Sequence, residues 1–336
     1  MHDRCLLERL GTGPVSGDVL ARGAGLTRAA IWKRIDALRA AGVEISAEPG
    51  RGYALRHPLS LLDADRIRAA LPPAARGAMA GLEVAWSLDS TSSELLRRGP
   101  PAHGASVLIA ERQTGGRGRR GRQWASPLAG QVAFSVARRF EGGLARLGGL
   151  SLVAGVAVAE ALRSLGVAPV GLKWPNDLVV PGPGPGARRK LGGILVEGGG
   201  EHAGPAHAVV GVGINVRLPA AAAEAIDQPW TDLAACMSPA PGGVAGAAID
   251  RNAVAGALLG TLLPALEVFE QEGLAPFVDR FAAFDALAGF EVLVADGDRR
   301  HAGVAAGVAP DGGLRLRSGD GREQVFHAGE TSVRLQ

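Results

Sequence analysis

Arg112-Gln113-Thr114-Gly115-Gly116-Arg117-Gly118-Arg119-Arg120-Gly121-Arg122-Gln123-Trp124 puts five arginines, four glycines and no acid into one stretch between two apolar runs. Glycine lets the backbone turn its N–H groups toward an anion, and each guanidinium is a rigid fork of donors shaped for carboxylate or phosphate. So much glycine excludes a helix. The stretch therefore predicts a phosphate-holding loop. Its cations repel one another and bury little apolar surface, so it is expected to stay mobile until an anion orders it, as a lid does. A solvated basic loop and an Arg/Gly segment that binds RNA share this composition, and the loop alone does not separate the three.

Its neighbours narrow the choice. Apolar runs at 106–111 and 131–137 read as strands on either side, with Val132, Phe134 and Val136 on one face. Upstream, a strand expected over 82–88 delivers Asp89-Ser90-Thr91-Ser92-Ser93 to a strand-to-helix turn, where a hydroxyl either caps the helix or lines a pocket. Downstream come Lys173-Trp174-Pro175-Asn176-Asp177, a Pro/Gly-rich hairpin tip at 181–189, Lys190-Leu191-Gly192-Gly193-Ile194-Leu195-Val196-Glu197, and Gly211-Val212-Gly213-Ile214-Asn215-Val216. Helices are expected over 147–165, 249–272 and 276–284, with a Pro/Gly-rich connection at 239–246 before the second. From 290 onward, five brief alternating runs separated by glycines suggest a small barrel.

Residues 1–60 read as helix, helix, glycine turn, helix, hairpin. Leu6, Leu7 and Leu10 share a face of the first helix, Ser16 caps the second, and Thr27 caps a third that runs to about Ala40. On the third, Ile31, Ile35 and Leu38 form a buried stripe opposite Ala29, Lys33, Asp36 and Ala40, with Trp32 at the side as a partial core residue. The hairpin spans 43–55 and turns at Pro49-Gly50-Arg51-Gly52. That order is a winged helix-turn-helix. Lys33 suits a base edge, and Arg28, Arg34 and Arg51 suit DNA phosphates. Asp36 and the scarcity of long polar groups on the outer face leave open a helical cap that binds no DNA. Residues 1–60 hold nine Lys and Arg against six Asp and Glu, which is the whole formal excess of +3; that placement fits nucleic-acid contact and equally a plain solvated surface. A linker helix is expected over 59–71, closed by Pro72-Pro73.

At 336 residues the chain suits two or three domains, and 47% apolar with 4% aromatic residues indicates a core of Ala, Leu and Val. Cys5 and Cys236 lie far apart without a CxxC or His-rich neighbour, so neither a disulfide framework nor zinc is expected, and the compartment is read as a reducing cytoplasm. The longest apolar run, about thirteen residues at 147–159, is short for a membrane span, and no signal-peptide pattern opens the chain.

Taken jointly, Asp89-Ser90-Thr91, the Gly-Arg-Gly-Arg-Arg-Gly piece at 116–121, Lys-Trp-Pro-Asn-Asp at 173–177, the run at 190–197 and Gly213-Ile214-Asn215 resemble the biotin protein ligases (biotin–acetyl-CoA-carboxylase ligases). More closely, they resemble the bifunctional ligases that also repress the biotin operon. The resemblance runs through nearly the whole chain; the tip at 181–189 is where this sequence is longer than the family pattern. It implies an α+β protein: a winged helix-turn-helix DNA-binding domain (1–60), a linker helix (61–80), a catalytic domain with a class II synthetase-like mixed β-sheet and helices (81–285), and an SH3-like C-terminal barrel (286–336). It also implies the reaction. Biotin and ATP form biotinyl-5'-adenylate, and a lysine of a biotin carboxyl carrier protein then displaces AMP.

The resemblance assigns catalysis to Arg119, Lys190 and Asp177. Biotin falls to Ser90, Thr91, Ser92, Gln113, Arg117 and Gly118 together with Arg119 and Lys190. ATP or the adenylate falls to Arg117, Arg119, Trp124, Lys173, Asn176, Asn215 and Arg334, with Asn215 at the adenine and Trp124 packed over the adenylate. Asp177 is expected to meet Mg²⁺ through water, and Gly193 to let substrate lie close to the backbone. The implied partners are the carrier protein, operator DNA of biotin genes, and a second copy of the chain once adenylate is bound. Two other readings keep part of this picture: a ligase whose N-terminal module binds no DNA, and a transcription regulator that senses a small acid and has lost catalysis. Lipoate is the related acid, and the Gly-Arg-Gly-Arg-Arg-Gly piece disfavours it.

Overall fold

A computed structural model describes residues 2–201, 204–237, 248–329 and 331–335; the connection expected at 239–246 lies outside them. The N-terminal helices are α1 (Asp3–Gly11), α2 (Gly17–Ala24) and α3 (Arg28–Ala40). The Ser16 hydroxyl accepts from the Val19 N–H and that of Thr27 from the Ala30 N–H, so each predicted cap satisfies one donor that the helix itself leaves unpaired. Ile31, Ile35 and Leu38 close on Leu6, Leu7, Leu10 and Leu20, each such side chain contributing about 1.5–3 kcal/mol when fully buried. Trp32 departs from expectation. One residue beyond Ile31 lies about 100° round the helix, and the indole is 53% exposed on the outer surface. The hairpin β1 (Ile45–Glu48) and β2 (Gly52–Leu55) completes the winged module.

The linker is less helical than its composition suggests. α4 (Ala64–Ala70) starts only after Asp63, whose carboxylate accepts the N–H groups of Arg66 and Asp65 and is held below the usual carboxylate range by them. The helix stops ahead of Pro72-Pro73 as expected, and Pro73 opens a new one, α5 (Pro73–Gly77), since proline lacks only a donor that the first turn leaves unpaired.

The central domain then runs β3 (Met79–Ala85), α6 (Thr91–Arg98), β4 (Ala105–Ala110), β5 (Gln131–Phe140), α7 (Leu150–Ser164), β6 (Gly171–Lys173), β7 (Asp177–Pro181), β8 (Arg188–Gly200) and β9 (Ala206–Asn215). Short helices α8 (Ala220–Ala223) and α9 (Leu233–Cys236) follow, then α10 (Arg251–Glu272) and α11 (Ala275–Ala282). Seven strands pair in the order β3-β4-β5-β9-β8-β7-β6, with β3 parallel to β4 and the other pairs antiparallel, which is the expected mixed sheet. Alternation along the strands gives the sheet two characters. Val132, Phe134, Val136, Val210, Val212 and Ile214 join the core with α7 and α10. Gln131, Ser135, Gly211, Gly213 and Asn215 fall on the opposite face.

Both α7, with the turn before it, and α10 are long and apolar enough to cross a membrane, so the count of thirteen residues understated the first. Most of their side chains pack in the central core instead.

The C-terminal region is an SH3-like antiparallel sheet of β10 (Glu291–Asp296), β11 (Arg299–Val308), β12 (Leu314–Arg317), β13 (Glu323–Phe326) and β14 (Ser332–Leu335), in the order β13-β12-β11-β10-β14. A register shift between Ala305 and Val308 bends it. The Trp174 indole N–H donates to the Gly312 carbonyl at 3.0 Å, seating the sheet on the central domain.

Candidate active site

The segment leaving β3 leads into α6 and builds a neutral pocket. Ser90 is the helix N-cap, its Oγ accepting the Ser93 N–H at 3.3 Å, so capping falls to Ser90 and not to Ser92 or Ser93. The hydroxyls of Thr91 and Ser92 both meet Ser135 Oγ, at 2.7 and 2.9 Å, and the Thr91 N–H and Oγ1 donate to Gln113 Oε1 at 2.8 and 3.1 Å. Ser90, Thr91, Ser92 and Ser135 are buried. Such a set of donors and acceptors reads a neutral polar ring and offers no net charge. Ser135 was not a sequence candidate; its signal is a lone serine at the pocket-facing parity of an apolar strand. Asp89, beside the pocket, is held by both guanidinium nitrogens of Arg97 at 2.8 and 2.9 Å, which, with the Ser90 N–H, lowers its pKa to about 2.

The arginine-glycine loop lies across this pocket. Its first residues extend the parallel pairing of β3 and β4: the Thr114 N–H donates to the Leu88 carbonyl at 2.9 Å and the Gly115 N–H to the Asp89 carbonyl at 2.8 Å. The Gly118 N–H reaches the Arg122 carbonyl at 2.7 Å and the Trp124 N–H the Gly116 carbonyl at 2.9 Å, drawing the tip into a short turn with Arg120 at φ 58° and Gly121 at φ 71°. The loop expected to be mobile is thus folded here. Arg117 pairs with Glu197 at 3.0 Å near the surface. Arg119 turns inward, its Nη1 donating to Asn176 Oδ1 at 3.2 Å and its Nη2 to the carbonyls of Gly329 and Thr331 at 2.8 and 3.3 Å. Burial lowers the Arg119 pKa, with Asp177 acting in the opposite direction.

Trp124 covers the floor. Its indole N–H donates to Gln131 Oε1 at 2.9 Å, and a Cβ placed on Gly213 would lie 2.8 Å from the ring. A Cβ on Gly211 would meet Ser92 Oγ at 2.6 Å. These glycines keep the sheet low where the pocket sits. Gly193 also leaves room, taken here by the Lys190 stem and the Trp124 ring.

Lys190 Nζ lies 2.6 Å from Asp177 Oδ1, with both side chains about four-fifths buried. Lys173 feels burial most strongly, then Asp177, Lys190, Arg334 and Arg122; burial wins and its pKa falls. Arg119, Lys173 and Lys190 therefore gather round the Asp177 carboxylate, and the exposed Arg122 and Arg334 add positive charge near Lys173. Asn176 holds the turn through Nδ2 to the Ile194 carbonyl at 3.0 Å. The Asn215 amide is shared between the Thr231 carbonyl at 2.9 Å and the Gln131 amide at 3.1 Å, which leaves one N–H and one lone pair for a ligand. Among the described residues no group of three or more His, Cys, Asp or Glu could cage a metal. The cluster suits a polyanion, and one carboxylate amid these cations fits a metal only as a water-mediated contact.

On the winged module, Arg28 lies 3.8 Å from Asp18, Arg34 3.7 Å from Asp3 and Arg51 2.8 Å from Glu48, while Lys33 and Trp32 stand exposed on α3.

Comparison with known proteins fits both halves. The Biotin/lipoate A/B protein ligase family matches residues 85–215, and an HTH domain family matches residues 5–54. The Bifunctional ligase/repressor BirA of Salmonella typhimurium is 40% identical over 319 residues, 95% of this chain and 93% of the relative. The chain belongs to the biotin protein ligases of the bifunctional ligase/repressor kind. The Biotin--[acetyl-CoA-carboxylase] ligase of Paracoccus denitrificans is 33% identical over 249 residues, 72% of this biotin protein ligase and 96% of its relative. Among solved structures, the biotin protein ligase from Aquifex aeolicus in complex with biotin and ATP superposes with a TM-score of 0.61 at 28% identity, covering 77% of this chain and 100% of that one.

Proposed function

We infer that this chain is an ATP-dependent biotin–protein ligase that also represses biotin synthesis genes with biotinyl-adenylate as corepressor. The observation that carries the inference is the juxtaposition of a neutral hydroxyl pocket with a partly buried cation cluster under one arginine loop. The pocket of Ser90, Thr91, Ser92 and Gln113, with Gly118 and Arg117 at its mouth, takes biotin's uncharged ring. The cations take its carboxylate and the phosphates of ATP.

In the first step a biotin carboxylate oxygen bonds to the α-phosphorus and the bond to the bridging oxygen breaks, releasing pyrophosphate. Two anions must meet, so Arg119 and Lys190 neutralise the carboxylate and α-phosphate, while Lys173 and Arg334 face the leaving phosphates. No base is needed, because the nucleophile is already ionised. Mg²⁺ bound with ATP would supply counter-charge to the phosphates, and Asp177 would be the residue to hold it. Trp124 closes over the adenylate, Asn176 fixes the Arg119 guanidinium, and Asn215 offers its spare N–H and lone pair to the adenine. The closed loop excludes water from the mixed anhydride. In the second step the carrier lysine's amine, its proton taken by Asp177 or water, attacks the acyl carbon and AMP leaves.

Arg28, Lys33, Arg34 and Arg51 face operator DNA, and adenylate-bound chains pair so that two recognition helices address a palindrome. Two free cysteines and a need for ATP and a carboxylase carrier support a cytoplasmic location. Mixing the protein with biotin, ATP, Mg²⁺ and a biotin carboxyl carrier domain should label the carrier lysine; unlabelled carrier would reject the ligase reading. Adenylate should tighten a gel shift on a biotin-operon operator, and no shift with adenylate present would reject the repressor reading.

A further inference from the structure

The loop leaves the sheet at Glu111 and returns at Gln131, and a single side chain from elsewhere holds both ends. Arg251, the first residue of α10, places Nη1 2.6 Å from Glu111 Oε2 and donates to the Gln131 carbonyl through Nε at 2.8 Å and also through Nη2. Both side chains of the pair are at most 2% exposed. Burying two charges costs about as much as their attraction returns, so such a pair adds little stability of its own and points to a positional role.

The remaining contacts say what is positioned. Glu111 Oε1 accepts the Leu62 N–H, and Arg251 Nη1 donates to the Ser60 carbonyl at 3.2 Å. Asn252, next along α10, accepts the Asp63 N–H at 2.7 Å and donates to the Leu61 carbonyl at 3.0 Å. Residues 60–63, through which the chain leaves the winged module, thus hang from the groups that hold the loop ends. On the other side, Gln131 carries the connection into the pocket, since its amide meets Trp124 and Asn215.

We propose that Glu111 and Arg251 act as a clasp between the loop ends and the linker, so that ordering of the loop and placement of the DNA-reading module are one equilibrium within a single chain. The proposal rests on the reading of the loop as the adenylate's cover. Reciprocity follows: whatever factor adenylate adds to DNA affinity, DNA adds to adenylate affinity.

Hydrogen exchange of the full chain with and without biotinyl-5'-adenylate tests it, together with operator gel shifts. In the wild type, adenylate should slow exchange both at 112–130 and at 60–63, where the Leu62 N–H reports the clasp directly. Asn252→Ala removes linker contacts and touches nothing in the pocket. It should keep adenylate formation and slowing at 112–130, yet lose the slowing at 60–63 and about tenfold of the adenylate-dependent gain in operator affinity, the scale of one or two hydrogen bonds. Glu111→Gln should weaken both responses. If Asn252→Ala does not fold by circular dichroism, Ser60→Ala, which removes the contacts of Ser60 Oγ with Asp250 and the Arg251 N–H, is read the same way. Slowing at 112–130 without any at 60–63 in the wild type, or a full operator gain in the folded variant, overturns the clasp. No slowing at 112–130 overturns the reading of the loop itself.

Discussion

Arg119 in the central domain is half-buried, its guanidinium held by Asn176 and two backbone carbonyls, whereas Arg28 on α3 is 76% exposed and 3.8 Å from its nearest carboxylate. Both are arginines assigned to phosphate, and their surroundings set what each does with it. At the loop, the cost of desolvating Arg119 is already incurred in the fold, so on the proposed reading an arriving anion would meet aimed donors in a low dielectric and be bound strongly and selectively. On the recognition helix the cations remain hydrated and loosely paired. On the proposed reading they would attract DNA from a distance, exchange partners easily and bind more weakly as salt rises.

The contrast is open to attack in order of effect. Arg119→Ala should lower the rate of adenylate formation on the order of a hundredfold to a thousandfold, the loss found for one aimed donor at a developing charge, measured by pyrophosphate exchange; a loss below about threefold would put Arg119 in the same class as Arg28. Gly213→Val should come next. Its side chain needs the space of the Trp124 ring, so the ring must lift and adenylate should dissociate about tenfold faster, roughly the 1.4 kcal/mol expected from a lost aromatic contact, with an unchanged circular dichroism spectrum.

A proton readout sharpens the electrostatic side. Burial depresses the Lys173 pKa in the free protein, and a phosphate beside it favours the charged form and raises that pKa again. When pH lies between the two values, ATP binding must therefore take up a proton, and uptake must fade at lower pH where Lys173 is already charged. Calorimetry in two buffers of different ionisation enthalpy measures this, and Lys173→Met should abolish it. The smallest effect belongs to the winged module: Arg28→Ala should change operator affinity only a fewfold but reduce the magnitude of the salt slope by about 0.9 for one lost phosphate contact. A larger effect with no change in slope would show that Arg28 is aimed as Arg119 is.

What could be read from sequence was what depends on near neighbours. Ser16 and Thr27 were legible as caps because their donors lie three residues away, and the Ile31, Ile35, Leu38 stripe because it repeats within one helix. Trp32 was misplaced because an aromatic beside a stripe carries no sign of which way the helix rolls. The linker helix was drawn too long because Asp63 caps it from within the assigned range. In the site, motif residues such as Arg119 and Lys190 stood out, but the Lys190–Asp177 pair depends on the register of β7 against β8, which contains a shift. Ser135 and Gly213 needed knowledge of which strand face meets α6. The Glu111–Arg251 pair joins positions 140 residues apart, and no local pattern announces it.

The most direct test of the central claim, that an arginine loop over a neutral pocket makes and shields an acyl-adenylate, is a two-stage labelling assay on the full chain. Labelled biotin, ATP and Mg²⁺ are supplied first, bound nucleotide is analysed, and a biotin carboxyl carrier domain is then added in the presence of excess lipoate. We predict biotinyl-adenylate held by the protein in the first stage and label on one carrier lysine in the second, undiminished by lipoate. Folded protein that holds no adenylate and leaves the carrier unlabelled, or labelling that lipoate suppresses, would contradict it.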